Sequence, residues 1–392
     1  MLLSGLKSVA KDGVRYLVSE VTSAKKDMKE MKKDMKEMIK SHVIIPDDPI
    51  DSDSDNSSDE EEGDPLKEKL EQVAPFLKLA EMAYKDESIA GNSDVPYVIK
   101  SRLVKKVQSP NALVNFNVKD LQLRVTTDTQ VHVCLLDEGS LAFVFRGTEA
   151  SIFHMCSFLR DLATDMMKFQ VPVTHYDGSC ETVYDGSESD IKAHRGFLLA
   201  FHDVTNTRSP EENIKLVADR LGAPAENVRR VICVGHSLGG ALATLCAHWC
   251  RHVAYPNADI WCITIGSPRV GNRRFAKDFK RSVTKGRSYR LVNKADIVTR
   301  VPLISVLCGY KHVCGRIHML SDRNRKGDIH ISGRRMLLKY ASIKNHFMDS
   351  YTKTVSRALQ IQHHHMRLPP IPSPRLFGTP RNLQIGSVEE KD

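Results

Sequence analysis

Residues 231–250 read VICVGHSLGGALATLCAHWC. An apolar run, Val231–Val234, stops at Gly235, and a small-and-apolar segment begins at Gly240. The pattern is strand, sharp turn, helix, with Ser237 at the apex. Glycines at 235 and 239 let strand and helix approach closely and leave the serine in a strained turn, its hydroxyl pushed outward. A serine hydroxyl is a poor nucleophile, so it needs this exposure together with a base and an oxyanion hole. Gly-x-Ser-x-Gly alone is a weak pattern. Its flanks strengthen it, with the backbone N–H of Leu238 opening the helix. The alternative is a glycine-rich strand–helix turn of any α/β protein.

Around this turn the chain reads as α/β. Leu66, Leu70, Val73, Phe76, Leu77, Leu79, Ala80 and Ala83 give one helical face. Val131–Leu136 and Leu141–Phe145 flank Asp-Glu-Gly-Ser, a hairpin signal. Ile260–Ile265 and Tyr289–Val292 are further strands. Strands alternating with helical patterns predict a mainly parallel central sheet flanked by helices. Residues 65–360 form this domain.

The flanks differ in character. Residues 1–45 read as one amphipathic helix, with Leu3, Leu6, Ala10, Val14, Leu17, Val21, Ala24, Met28, Met31, Met35 and Met38 stepping by three and four. Lys-Lys-Asp-Met-Lys-Glu-Met occurs at 25–31 and again at 32–38. This suits a helix on a membrane or lipid-droplet surface, lysines toward phosphates; a short coiled coil is the competing reading. Residues 46–64 are an acidic, Ser-rich linker with too little apolar surface to fold, and Ser57 and Ser58 precede acidic residues. Residues 361–392 form a basic, Pro-rich extended tail. Pro369 and Pro372 make a PxxP spacing of the SH3-ligand type, and His363–His365 read as a solvent-exposed tract.

Of 392 residues, 57 are basic and 48 acidic, a net charge of +9. That excess suits an anionic surface. No nucleic-acid module stands out, so no nucleic-acid partner is expected. Nine cysteines without paired spacing argue against a disulfide framework and for a reducing compartment. Cys246 and Cys250, four apart after the turn, suggest packing rather than a metal. Lys7, Lys11, Asp12 and Arg15 break any secretory h-region, and no run of apolar residues is long enough to span a bilayer. The expectation is a cytoplasmic protein, peripheral on membranes or lipid droplets, with no metal or cofactor.

A serine nucleophile needs a histidine and an acid, and in the α/β-hydrolase arrangement the chain order is serine, acid, histidine. Asp296 follows the strand-like Tyr-Arg-Leu-Val-Asn of 289–293; Asp322, Asp328 and Asp349 are rivals. His346 opens the last helix; His312, His318 and His330 are rivals.

Taken together, the motifs resemble those of the class 3 lipase family, which includes fungal triacylglycerol lipases and plant and animal relatives. The resemblance rests on Phe145-Arg146-Gly147-Thr148, His194-Arg195-Gly196-Phe197, Gly235 to Ala243, Gly266 to Asn272, Asn293 to Val298 with Pro302, and His346 with Tyr351. It covers about 70–360, with six motifs in the family's order. It implies an α/β-hydrolase fold, no metal, a triad Ser237–Asp296–His346, and an oxyanion hole from Leu238 and Thr148. The implied activity is hydrolysis of acylglycerol or phospholipid esters. It also implies a lid after Thr148, where Ile152, Phe153, Met155, Cys156, Phe158 and Leu159 are more apolar than an exposed loop should be; this stretch is somewhat long, and Leu162 stands where a tryptophan is frequent. Asp165 matches an aspartate that supports the oxyanion loop. Phospholipase A1 or galactolipase activity, a silent lipid-binding scaffold, and acyl transfer to an alcohol are the alternatives.

Overall fold

The computed structural model describes residues 64–85, 88–106, 129–136, 139–147, 170–173, 191–207, 210–211, 213–283, 287–301, 309–321, 329–332 and 342–360. The 1–45 helix, nearly all of the 46–64 linker and the 361–392 tail lie outside these residues. So do Thr148, the lid residues Ile152, Phe153, Met155, Phe158 and Leu159, and Asp165, Asp322 and Asp328.

An eight-stranded sheet forms the centre. Its strands are β1 (Val98–Lys106), β2 (Thr129–Leu136), β3 (Ser140–Phe145), β6 (Arg230–His236), β7 (Asp259–Ile265), β9 (Ser288–Asn293), β11 (Arg316–Ser321) and β12 (Ile329–Ser332), in the order β1-β2-β3-β6-β7-β9-β11-β12. The pairings from β3 through β6, β7 and β9 to β11 are parallel. Those at the two edges, β1–β2, β2–β3 and β11–β12, are antiparallel. The expected hairpin is the β2–β3 pair, with Val131 opposite Phe145 and Leu135 opposite Leu141. A smaller sheet joins β4 (Gln170–Pro172), β5 (Lys192–His194), β8 (Gly271–Asn272) and β10 (Tyr310–Lys311) in the order β10-β8-β5-β4.

Successive side chains leave a strand on opposite faces, so β6 and β7 serve two cores. Val231, Cys233, Ile260 and Cys262 pack on one side with helices α2 (Arg195–Thr205), α3 (Ile214–Arg220), α4 (Leu238–Trp249) and α5 (Arg273–Ser282). Ile232, Val234, Trp261, Ile263 and Ile265 pack on the other with α1 (Asp64–Met82) and α6 (Met348–Leu359). Burial on both faces explains why these strands read as unbroken apolar runs. Helix α1 starts one residue inside the span read as linker, with Pro65 in its first turn, where a missing N–H costs nothing. Helix α4 is buried from Gly239 through Trp249. Apart from His248, small and apolar residues fill that position against the sheet. The layers are those of an α/β-hydrolase.

Among the described residues, no helix is long and apolar enough to cross a membrane. Cys134, Cys233, Cys246, Cys250 and Cys262 are buried free thiols and Cys314 is half-buried.

Candidate active site

Ser237 joins the end of β6 to the start of α4 with φ 57° and ψ −127°. That backbone state costs a non-glycine residue on the order of 1–3 kcal/mol and persists only where its surroundings enforce it. They do so by close packing. A Cβ at Gly235 would run into the Gly239 carbonyl, and one at Gly239 into the Phe145 carbonyl of β3. A Cβ at Gly240 would come within 2.8 Å of Ser267 Cβ. The Ser237 N–H donates to the Ile265 carbonyl of β7 at 2.9 Å, which fixes the apex to the neighbouring strand.

Asp296 comes from the turn after β9. Lys294 there takes φ 49°, and the Asp296 N–H donates back to the Asn293 carbonyl at 3.0 Å. His346 follows the short 3-10 turn Ile343–Asn345 before α6. The two loops are tied together, since Ser342 N–H donates to the Ala295 carbonyl at 2.8 Å. Three side chains far apart in sequence therefore meet above the sheet. His346 Nε2 lies 2.8 Å from Ser237 Oγ. His346 Nδ1 lies 2.9 Å from Asp296 Oδ2 and 3.1 Å from Oδ1. All three residues are 0% exposed. A carboxylate on Nδ1 fixes the proton there and leaves Nε2 as the acceptor facing the hydroxyl.

The carboxylate is itself held. Val298 N–H donates to Oδ1 at 2.9 Å, and the Tyr351 hydroxyl donates to Oδ2 at 2.7 Å. Burial first, then the Asp296 charge, pushes the Tyr351 phenol well above its ordinary range, so it stays a donor. Tyr351 Oη accepts the Asn293 N–H at 3.1 Å. Gly266, at φ +60°, backs the pair; a Cβ there would sit 2.9 Å from Asp296 Oδ2 and 3.0 Å from the His346 ring.

Two residues whose part was not read from the sequence complete the site. His236 donates Nε2–H to the His346 carbonyl at 2.7 Å, since a carbonyl only accepts. Its Nδ1 therefore accepts from the Tyr84 hydroxyl at 2.6 Å. Its ring stacks on His346, with centroids 4.7 Å apart and planes 29° apart. Burial, then the neighbouring His346, lowers the His236 pKa to about 3. It therefore stays neutral near pH 7. Tyr84 follows α1 and packs against Gly147, where a Cβ would strike its hydroxyl. The Arg146 guanidinium lies 5.9 Å from the Tyr84 ring centroid. The segment before Thr148, the elbow and the histidine loop thus share one tyrosine. Nothing local marks Tyr84 in the sequence, because its partner lies 152 positions away.

The rivals lie elsewhere. His312 donates to the Thr299 carbonyl at 2.7 Å and His318 to the Lys294 carbonyl at 2.7 Å. Burial lowers the pKa of both, that of His318 to about 4. His330 and Asp349 are exposed. The other motif residues build the frame. His194 caps α2 through Phe197 N–H, and Asn272 caps α5 through Phe275 N–H.

An elbow serine between a parallel strand and a buried helix, facing a histidine held by a strand-end acid, is the arrangement of the α/β-hydrolases. Residues 142–306 match the model of the family described as Lipase (class 3). A secreted mono- and diacylglycerol lipase of Fusarium solani is 39% identical over 119 residues, 30% of this chain and 32% of the relative. The chloroplastic phospholipase A(1) DAD1 of Arabidopsis thaliana is 33% identical over 119 residues, 30% of this chain and 26% of the relative. The chain thus spans about a third or less of the length of these two relatives. Among solved structures, lipase II of Rhizopus niveus aligns with a TM-score of 0.44 at 24% identity, covering 72% of this chain and 92% of that one.

Proposed function

We propose that the protein is a serine hydrolase that cleaves carboxylic esters of lipids and releases fatty acid from acylglycerols through an acyl-enzyme. The observation that carries this reading is the Ser237–His346–Asp296 array at 2.8 and 2.9 Å on a strained elbow. The match of residues 142–306 to the class 3 lipase model supports it.

In this reading Ser237 Oγ attacks the ester carbonyl while His346 Nε2 takes its proton. Asp296 holds the imidazolium through Nδ1–H. The ester C–O bond then breaks as His346 returns the proton to the leaving alcohol. Water, deprotonated by the same imidazole, attacks the acyl-enzyme and frees the acid and Ser237. The Leu238 N–H, at the first helical position and without an intrahelical acceptor, meets the developing oxyanion. Thr148 is the proposed second donor. We assign the role of a lid to Ile152, Phe153, Met155, Phe158 and Leu159.

A phospholipase A1 among the relatives favours a second reading, the same triad acting on phospholipids. Turnover of diacylglycerol, triacylglycerol and phosphatidylcholine by the wild type and Ser237→Ala decides between them. Ser237-dependent release from acylglycerols alone supports the first; release from phosphatidylcholine alone supports the second. Docking of residues 1–45 on a lipid surface, an SH3-type contact for the tail and a cytoplasmic location complete the proposal. Deleting 1–45 should reduce vesicle binding more than hydrolysis of a soluble short-chain ester.

A further inference from the structure

A second group of chemistry-bearing side chains lies at the other end of the helix that carries Ser237. Helix α4 passes at Cys250 into a π-helical turn, Cys250–Ala254. Such wider turns within helices recur at functional sites. His248 sits in the last α turn and His252 in the π turn, four residues on, so they share a face. Their ring centroids are 4.3 Å apart. Asp278 reaches them from α5. Its Oδ2 lies 2.8 Å from His248 Nε2 and 3.3 Å from His252 Nε2. All three donor atoms lie within 4.8 Å of one another.

Ligands about 2.0–2.1 Å from a tetrahedral zinc ion stand roughly 3.3 Å from each other. The two His–Asp edges differ from that spacing by about half an ångström at most. Two imidazoles and one carboxylate form a donor set suited to Zn²⁺. Exposure is graded across the group, with His248 at 6%, Asp278 at 21% and His252 at 42%. His248 faces the core and His252 faces solvent. Arg251 and Arg281 act on the group electrostatically. The Arg251 guanidinium is engaged by the carbonyls of Ser282, Pro256 and Ala258, so it does not take the place of a metal.

We propose that His248, His252 and Asp278 form a zinc site that fastens the π turn to α5. It takes no part in ester chemistry, since α4 separates it from Ser237 by roughly 16 Å along the helix axis. Two imidazole N–H groups donating to one carboxylate oxygen would give the same contacts without metal, and metal binding separates the two.

The test uses the full chain, freed of metal by chelation, with His363, His364 and His365 changed to Ala so that the tail does not compete. Zn²⁺ is titrated by calorimetry, and Tm is measured with and without it. The expected result is one equivalent bound and a Zn²⁺-dependent rise in Tm. His252→Ala and Asp278→Asn should each weaken binding at least tenfold and abolish that rise. His252 is exposed enough that its replacement leaves the core filled. Absence of binding by the parent protein overturns the proposal. So does undiminished binding in His252→Ala, which would point to the buried Cys233, Cys246 and Cys250.

Discussion

The two ends of helix α4 carry the same pair of side chains in different settings. At the N-terminal end His346 meets Asp296 at 2.9 Å, and at the C-terminal end His248 meets Asp278 at 2.8 Å. The first pair is 0% exposed; in the second, Asp278 keeps 21% of its surface. The larger difference is which nitrogen the acid takes. Asp296 binds Nδ1 and leaves Nε2 aimed at a hydroxyl on a strained turn. Asp278 binds Nε2, and its other neighbour is a second imidazole. A histidine–carboxylate pair is therefore not itself a catalyst. What faces the remaining nitrogen decides between a general base and a ligand set.

The largest effects should come from breaking the first end. Ser237→Ala and His346→Ala should each lower kcat for a soluble ester by on the order of 10⁵–10⁶, with the double variant no worse. His248→Ala should leave that rate within a few-fold. Equal losses at the two ends would erase the distinction. Next is Asp296→Asn, which keeps the shape but releases the tautomer; kcat should fall on the order of 10⁴.

Tyr84→Phe tests the support behind the first end. It leaves the buried Nδ1 of His236 unpaired, so the denaturation midpoint should fall by an amount equivalent to about 1–3 kcal/mol. An unchanged midpoint would mean that the Tyr84–His236 bond contributes nothing.

A further effect is read in the slope of stability against pH. Burial holds His236 at about 3 and His194 and His318 at about 4, below the ordinary 6.5. Each is neutral in the fold and gains a proton on unfolding below 6.5. Their stabilisation is therefore present above 6.5 and lost as pH falls toward 4. His318→Gln should flatten the profile over that window by about one proton, or ~1.4 kcal/mol per pH unit. A parallel profile would place a charged His318 in the fold.

Much of the first end was legible in the sequence because its signals are local. Gly235, Ser237 and Gly239 stand in a fixed spacing between two apolar runs, and Asp296 lies in the turn just after a strand. The parallel centre of the sheet was legible for the same reason, since strands buried on both faces are apolar throughout. The small sheet was not. β8 and β10 have two residues each and β4 three, too few for any period. The β11–β12 edge does alternate, Arg-Ile-His-Met at 316–319 and Ile-His-Ile-Ser at 329–332, but each alternating run is only four residues long, too short to stand out. Tyr84 and the Tyr351–Asp296 bond depend on contacts across the chain. At the second end, His248 and His252 show helical spacing, but Asp278 is brought in only by the packing of α5.

Mass spectrometry of the protein after reaction with a fluorophosphonate puts the Ser237 nucleophile to the test. The wild type should gain one phosphonyl group, on the peptide that carries Ser237, and Ser237→Ala should gain none. An unlabelled wild type, or a label that survives in Ser237→Ala, would contradict that assignment.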